Sequence, residues 1–253
     1  MEFLYEATMA TILVGPDQKK FVIHQALLCS KSQYFTKALT GSFVESKTHV
    51  VKLEDVSPML FRIFVSWLYD GKIVYTTSDG RSTIKQDFKS LESMPRDHSY
   101  DELQMKVDDT STWPCEVLVE LYILADRLDT KGLRIQAIDT MAELLLQRKK
   151  RLCPTAYMYI YANTTATSPL RKLAVHILAY HTRHNLAEQT FWMHLPHDLA
   201  ITALLMKSTM RADSSPRKDK DLIPYGDICL YHEHADEEEQ KACRARRSKT
   251  VVK

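Results

Sequence analysis

At 253 residues the chain is long enough for one sizeable domain and a smaller one, and its 45% hydrophobic and 26% charged content supports a packed core and excludes disorder throughout. Its 34 Lys and Arg against 32 Asp and Glu leave a formal net charge of +2, so the whole-molecule field gives no reason to expect nucleic acid as the partner. Five cysteines without a CxxC pair, and an N-terminal stretch lacking the basic and apolar segments of a leader, predict reduced thiols and a cytoplasmic or nuclear location.

The β-rich stretches Thr11 to Val14 and Lys20 to Ile23 flank the turn formers Gly15, Pro16 and Asp17 and predict an antiparallel hairpin. From Gln25 the apolar residues Ala26, Leu27, Leu28, Tyr34, Phe35, Ala38 and Leu39 take helical spacing, with Ser32 able to cap a second short helix and Gly41 able to end it. A third strand fits THVVKL, with Val50, Val51 and Leu53. Ser57 and Pro58 then open a helix whose Leu60, Phe64, Trp67 and Leu68 fall on one face, and Gly71 ends it.

Residues 76–112 are polar and without sustained periodicity, the pattern of a disordered insertion or a functional loop. Helical spacing resumes with Val117, Leu118, Leu121, Tyr122, Leu124, Ala125 and Leu128, and Asp129 or Thr130 can cap the next apolar face, Leu133 to Leu145. Further helices are predicted from Pro169, with Leu170, Leu173, Ala174, Ile177 and Leu178 on one face, and from Pro196 to about Lys207. RADSSPRKDKD, from Arg211, reads as a linker. No run approaches the roughly 18 consecutive apolar residues that a membrane span requires, and no internal repeat is evident.

Taken in order, F-x-x-H-x-x-L-L around His24, S-x-Y-F at Ser32 to Phe35, the φ-x-E-S step Phe43 to Ser46, and W-L-Y-x-G from Trp67, followed by LVELYILADRLDTKGL, resemble the BTB/POZ domain. The likeness covers residues 9–147 with the polar stretch 76–112 inserted, and is similar in particular to the stand-alone BTB proteins of filamentous fungi. It implies an α+β fold, a small mainly antiparallel sheet flanked by a helical cluster, here extended by a helical region at 152–210 and a polar tail at 211–253 that holds Cys and His. It also implies protein partners, with self-association as a homodimer open. Met9-Ala10-Thr11 stands where the family often places an Asp in the first strand, which weighs against a charged groove built on that acid.

His24 sits at the strand-to-helix junction and is read as structural, a buried imidazole able to join two backbone groups, together with the packing residues Tyr34, Phe35, Trp67 and Tyr69. Phe43 and Glu45 match the hydrophobic-x-Glu motif by which some family members contact a cullin, an apolar anchor beside a rim charge. Cys229, His232, His234 and Cys243 have the ligand types of a zinc site but not a usual zinc-finger spacing, so a helix with incidental histidines stands beside a metal site as a reading. The basic runs QRKKR (147–151) and RARRSK (244–249) lack the aromatic interleaving that stacks on single strands. With six glycines and no nucleophile elbow, P-loop, dinucleotide fingerprint or HExxH, the chain is not expected to be an enzyme. The expected function is an adaptor or scaffold, in its sharpest form a substrate adaptor of a cullin-type ubiquitin ligase. The alternative is a nuclear regulatory factor using its basic tail.

Overall fold

The structure is a computed structural model that describes residues 8–75, 83–84, 105–147, 152–181, 189–212 and 227–250. The chain divides into two compact units, Met1–Ala137 and Ile138–Lys253.

In the first unit, β1 (Met9–Val14) alternates exposed and buried residues so that Ala10, Ile12 and Val14 all point into the core. It pairs antiparallel with β2 (Lys19–His24) through the four-residue turn Gly15 to Gln18, in the register Val14 to Lys19. Helices α1 (Gln25–Lys31), α2 (Gln33–Thr40) and α3 (Val44–Thr48) then carry the chain across to β3 (Val50–Leu53), which lies parallel to β1 with Thr11 opposite Val50. A parallel neighbour needs such a crossover, because no tight turn can return the chain in the same direction. The sheet is therefore a small mixed one, in the order β2-β1-β3. With the helices around it, the unit has the α+β architecture expected from the sequence.

Helix α4 (Pro58–Asp70) begins as its sequence predicts: Ser57 accepts a hydrogen bond from the Met59 N–H, and Pro58 occupies the first turn where its missing donor costs nothing. It ends at Gly71, whose φ of 68° is the left-handed turn that glycine adopts without a Cβ penalty. Its buried face joins an aromatic chain. Phe21 meets Phe61 edge-on at 4.9 Å, Phe61 lies 5.4 Å from Phe64, and Phe64 touches Phe35 and Trp67 at 6.2 and 6.3 Å.

Most of the polar stretch 76–112 lies outside the described residues, as do the basic run after Gln147 and the linker from Asp213. The far end of the polar stretch is tied down. β4 (Thr83–Ile84) pairs antiparallel with β5 (Met105–Lys106), and a 3-10 turn follows at Thr110–Thr112. The Tyr75 N–H bonds the Val107 carbonyl at 2.8 Å, and the indole of the fully buried Trp113 donates to the Lys106 carbonyl at 2.7 Å. Helices α5 (Cys115–Arg127) and α6 (Lys131–Ala142) follow, and the Thr130 carbonyl accepts the first bonds of α6, from Leu133 and Arg134.

In the second unit the last turn of α6 passes through a wide π-helical turn, Glu143–Gln147, into α7 (Pro154–Asn163) and α8 (Pro169–His181). Arg171 of α8 donates to the carbonyls of Tyr161 and Thr164, supplying partners for the orphan acceptors at the end of α7, and its guanidinium lies 4.4 Å over the Tyr161 ring. After α9 (Gln189–Met193), α10 (His197–Ala212) packs on α8. A 3-10 turn, Ile228–Tyr231, and α11 (Glu237–Thr250) complete the described chain. The segment RARRSK, expected in the polar tail, lies within α11.

Candidate functional site

His24 is the last residue of β2 and occupies the capping position of α1, so it stands at the junction the sequence indicates. Because β2 is an edge strand, the ring is only half-buried, and its partner is a side chain and not two backbone groups. The Tyr69 hydroxyl lies 2.8 Å from His24 Nδ1 and 3.4 Å from the His24 backbone N–H. The hydroxyl accepts from the backbone N–H and shares a second hydrogen bond with Nδ1, whose direction follows the imidazole tautomer. The rings meet edge-on at 5.9 Å, which pins the end of α4 against the end of the hairpin. Phe35 and Trp67 are buried, Tyr34 is half-buried and edge-on to Phe35, and Tyr69 is exposed. Burial raises the Tyr34 pKa, with Arg127 opposing and Glu45 adding to the rise.

Phe43 and Glu45 are set by the α2–α3 turn. Gly41 ends α2 with extended backbone, φ −80°, so it is not needed for a left-handed turn. It is needed for space: a Cβ there would stand 2.3 Å from the Lys37 carbonyl oxygen and 3.3 Å from the Phe43 ring. The chain thereby turns tightly enough to place Phe43 at the start of α3, where the Ser46 hydroxyl donates to its carbonyl at 2.7 Å. Phe43 and Val44 are 59% and 72% exposed, and Glu45 beside them is half-buried. This makes a small apolar knuckle with one carboxylate at its edge. A second exposed apolar stripe, Ile201, Leu204 and Leu205, runs at i, i+3 and i+4 along α10, and the sequence reading missed it. Its spacing was visible, but spacing does not say which face of a helix is covered.

In the second unit Cys229, His232, His234 and Cys243 come together, with one donor atom of each within 4.8 Å of the others. The Cys229 and Cys243 sulfurs are 3.6 Å apart with no disulfide between them, and His232 Nδ1 is 3.4 Å from the Cys243 sulfur. His232 Nε2 lies 2.8 Å from Asp139 Oδ1 of α6, a partner that sequence reasoning missed because it is 93 residues away. Burial lowers the His232 pKa, with Asp227 opposing. Burial, and then the adjoining Cys243, push the Cys229 thiol up to about 12, so on its own it is no nucleophile.

The first unit is thus a small mixed sheet flanked by helices, with an exposed apolar knuckle at Phe43 and Val44 and a histidine–tyrosine contact at the hairpin's end. Comparison with known proteins specifies the class. Residues 3–106 match the model of the BTB/POZ domain. Over 103 residues, 40% of this chain, the sequence is 29% identical to bovine BTB/POZ domain-containing protein 9. Over 70 residues, 28% of this chain, it is 27% identical to human Kelch repeat and BTB domain-containing protein 4. The matches span only 16% and 13% of those two proteins. The chain thus carries a BTB/POZ domain, a protein-interaction module, at residues 3–106. Among the described residues no helix is long and apolar enough to cross a membrane.

Proposed function

We propose that the chain is an adaptor whose BTB/POZ domain docks on a cullin-type ubiquitin-ligase scaffold through Phe43 and Glu45, as an intracellular protein of the stand-alone kind found in filamentous fungi. The observation that carries this reading is the exposure of Phe43 and Val44 at the head of α3, where an aromatic ring is held out of its own core by a glycine turn. Buried aromatic anchors dominate most protein interfaces, while charges at the rim set orientation and encounter rate. Phe43 supplies the anchor and Glu45 the rim charge. The relative that carries kelch repeats names a second module absent from its likeness to this chain. Cargo recruitment here falls to the helical second unit, α7 to α11.

The test is a pull-down of the full chain with a cullin N-terminal region. Phe43→Ala is expected to weaken binding by more than tenfold, the cost of losing a hot-spot aromatic of about 2 kcal/mol or more. Glu45→Ala is expected to weaken it less. Binding that is unchanged by both substitutions removes this surface from the mechanism. In the nucleic-acid alternative the basic run from Arg244 would make the contacts, with Arg244 first released from Asp227.

A further inference from the structure

We propose that Cys229, His232, His234 and Cys243 form a structural zinc site that ties the C-terminal helix into the second unit. Three independent features of the molecule carry it. The first is distance. In a tetrahedral site with zinc–sulfur bonds of about 2.3 Å and zinc–nitrogen bonds of about 2.0 to 2.1 Å, ligand atoms must stand about 3.8 Å apart for two sulfurs and about 3.5 Å for sulfur and nitrogen. The observed separations are 3.6 Å for the two sulfurs and 3.4 Å for His232 Nδ1 and the Cys243 sulfur. A disulfide requires about 2.05 Å, so the pair is spaced for a shared ion and not for a bond to each other.

The second feature is the orientation of His232. Its Nε2 faces Asp139 at 2.8 Å while its Nδ1 faces Cys243. A histidine that donates one N–H to a carboxylate presents the lone pair of its other nitrogen, which is the tautomer a metal needs and the usual support of a metal-bound imidazole. Asp139 is therefore the positioning residue of the site.

The third feature is the framework. Cys229 comes from the 3-10 turn Ile228–Tyr231, the histidines from the stretch after it, and Cys243 from α11. The turn is held by other bonds. The Asp227 carboxylate accepts from the Cys229 N–H at 3.1 Å and pairs with Arg244, the residue after Cys243. The Tyr231 hydroxyl meets His176 at 2.6 Å, and Lys172 donates to the Leu230 carbonyl at 3.2 Å. Ligands are thus fixed from both ends before any ion arrives. Cys229, His232 and Cys243 are 2%, 8% and 8% exposed, so the site is largely closed to water.

Two thiolates and two imidazoles are the donor set that selects zinc over magnesium or calcium, and the two thiolate charges balance a divalent ion. Four protein ligands leave no open position for substrate, which makes the site structural and not catalytic. The spacing C-x2-H-x-H-x8-C differs from the usual fingers because the ligands span a turn and a helix instead of a hairpin and a helix.

The experiment uses the full chain, purified without chelator from zinc-supplemented medium. Elemental analysis is expected to find one zinc per chain. After the metal is stripped, titration with cobalt chloride is expected to saturate at one equivalent, with the visible bands of a tetrahedral, thiolate-bound ion. Cys243→Ser is expected to lose the zinc. Because that variant can fail to fold, Asp139→Asn provides a second measure: one zinc still binds, with affinity 10- to 100-fold lower against a chromophoric chelator. His49→Gln, a substitution in the other unit, is expected to leave zinc content unchanged. Wild-type chain that contains no zinc and binds neither zinc nor cobalt stoichiometrically overturns the proposal, as does a Cys229–Cys243 disulfide in protein purified under reducing conditions.

Discussion

Ser32 does two jobs with one hydroxyl. Its oxygen accepts from the Phe35 N–H at 3.2 Å, capping α2, and its proton goes to the Leu128 carbonyl at 2.5 Å, where α5 ends. The residue is 1% exposed, so removing the hydroxyl takes the cap from the Phe35 N–H and leaves the Leu128 carbonyl with the longer bond from the Thr130 hydroxyl, 3.3 Å away. Ser32→Ala is expected to cost about 2 kcal/mol, the sum of a lost cap and a lost buried bond, measured as a fall in unfolding free energy with denaturant. A loss within a few tenths of a kcal/mol would show that the long-range bond contributes nothing. The cap was legible in the sequence because capping is local; the bond to Leu128 was not, since it joins residues 96 apart. Gly41 teaches the same lesson. Its presence at the end of α2 was readable, but the reason for it, a carbonyl 2.3 Å from where a Cβ would sit, exists only in the folded chain.

At the scale of elements, α4 and α8 were readable because apolar residues on one face and a proline at the start agree with each other. Helix α7 falls inside the helical region expected at 152–210 but was not picked out by itself, although Pro154 marks its start. In PTAYMYIYAN the aromatic and aliphatic residues surround the helix, with Ala156, Tyr157 and Ile160 buried and Met158 exposed, so no single face stands out. The 3-10 turn Ile228–Tyr231 escaped because it is too short to show a period. That turn is fastened to α8 by His176, whose ring is buried against the Tyr231 hydroxyl. Burial, and then the nearby Lys172, hold the His176 pKa below its ordinary 6.5. The unfolded chain takes up a proton near pH 6.5 while the folded one refuses it. Stability of the second unit is therefore expected to fall as pH drops below 6.5, and to level off once pH passes the depressed folded value. His176→Gln, which cannot titrate, is expected to remove this residue's share of the slope when denaturation midpoints are measured from pH 7.5 to 5. An unaltered slope would assign the acid sensitivity elsewhere.

For the whole molecule, a formal net charge of +2 means that long-range attraction does little to bring a partner to the chain. If Phe43 anchors the scaffold, binding of the wild type is expected to weaken only modestly as salt is raised, and the Glu45→Ala variant to lose most of that dependence, both read by titration at several ionic strengths. A steep salt dependence retained in Glu45→Ala would instead point to a polyelectrolyte partner. The BTB/POZ likeness was legible because its motifs sit where strand, turn and helix signals coincide, from Phe21 to Gly71. The set Cys229, His232, His234 and Cys243 stood out by residue type, but Asp139 beside His232 did not, because nothing local announces that these two residues are neighbours.

The mixed sheet also dictates an order of assembly. β1 meets β2 across a four-residue turn, an event that needs on the order of microseconds. Its other edge stays vacant until everything from Gln25 to Thr48 has coiled and docked and Val50 can draw alongside Thr11. Closing that longer loop costs entropy before any pairing repays it. On the ribosome, the hairpin therefore emerges as a seed that must wait, one flank exposed, for the third strand to be synthesised.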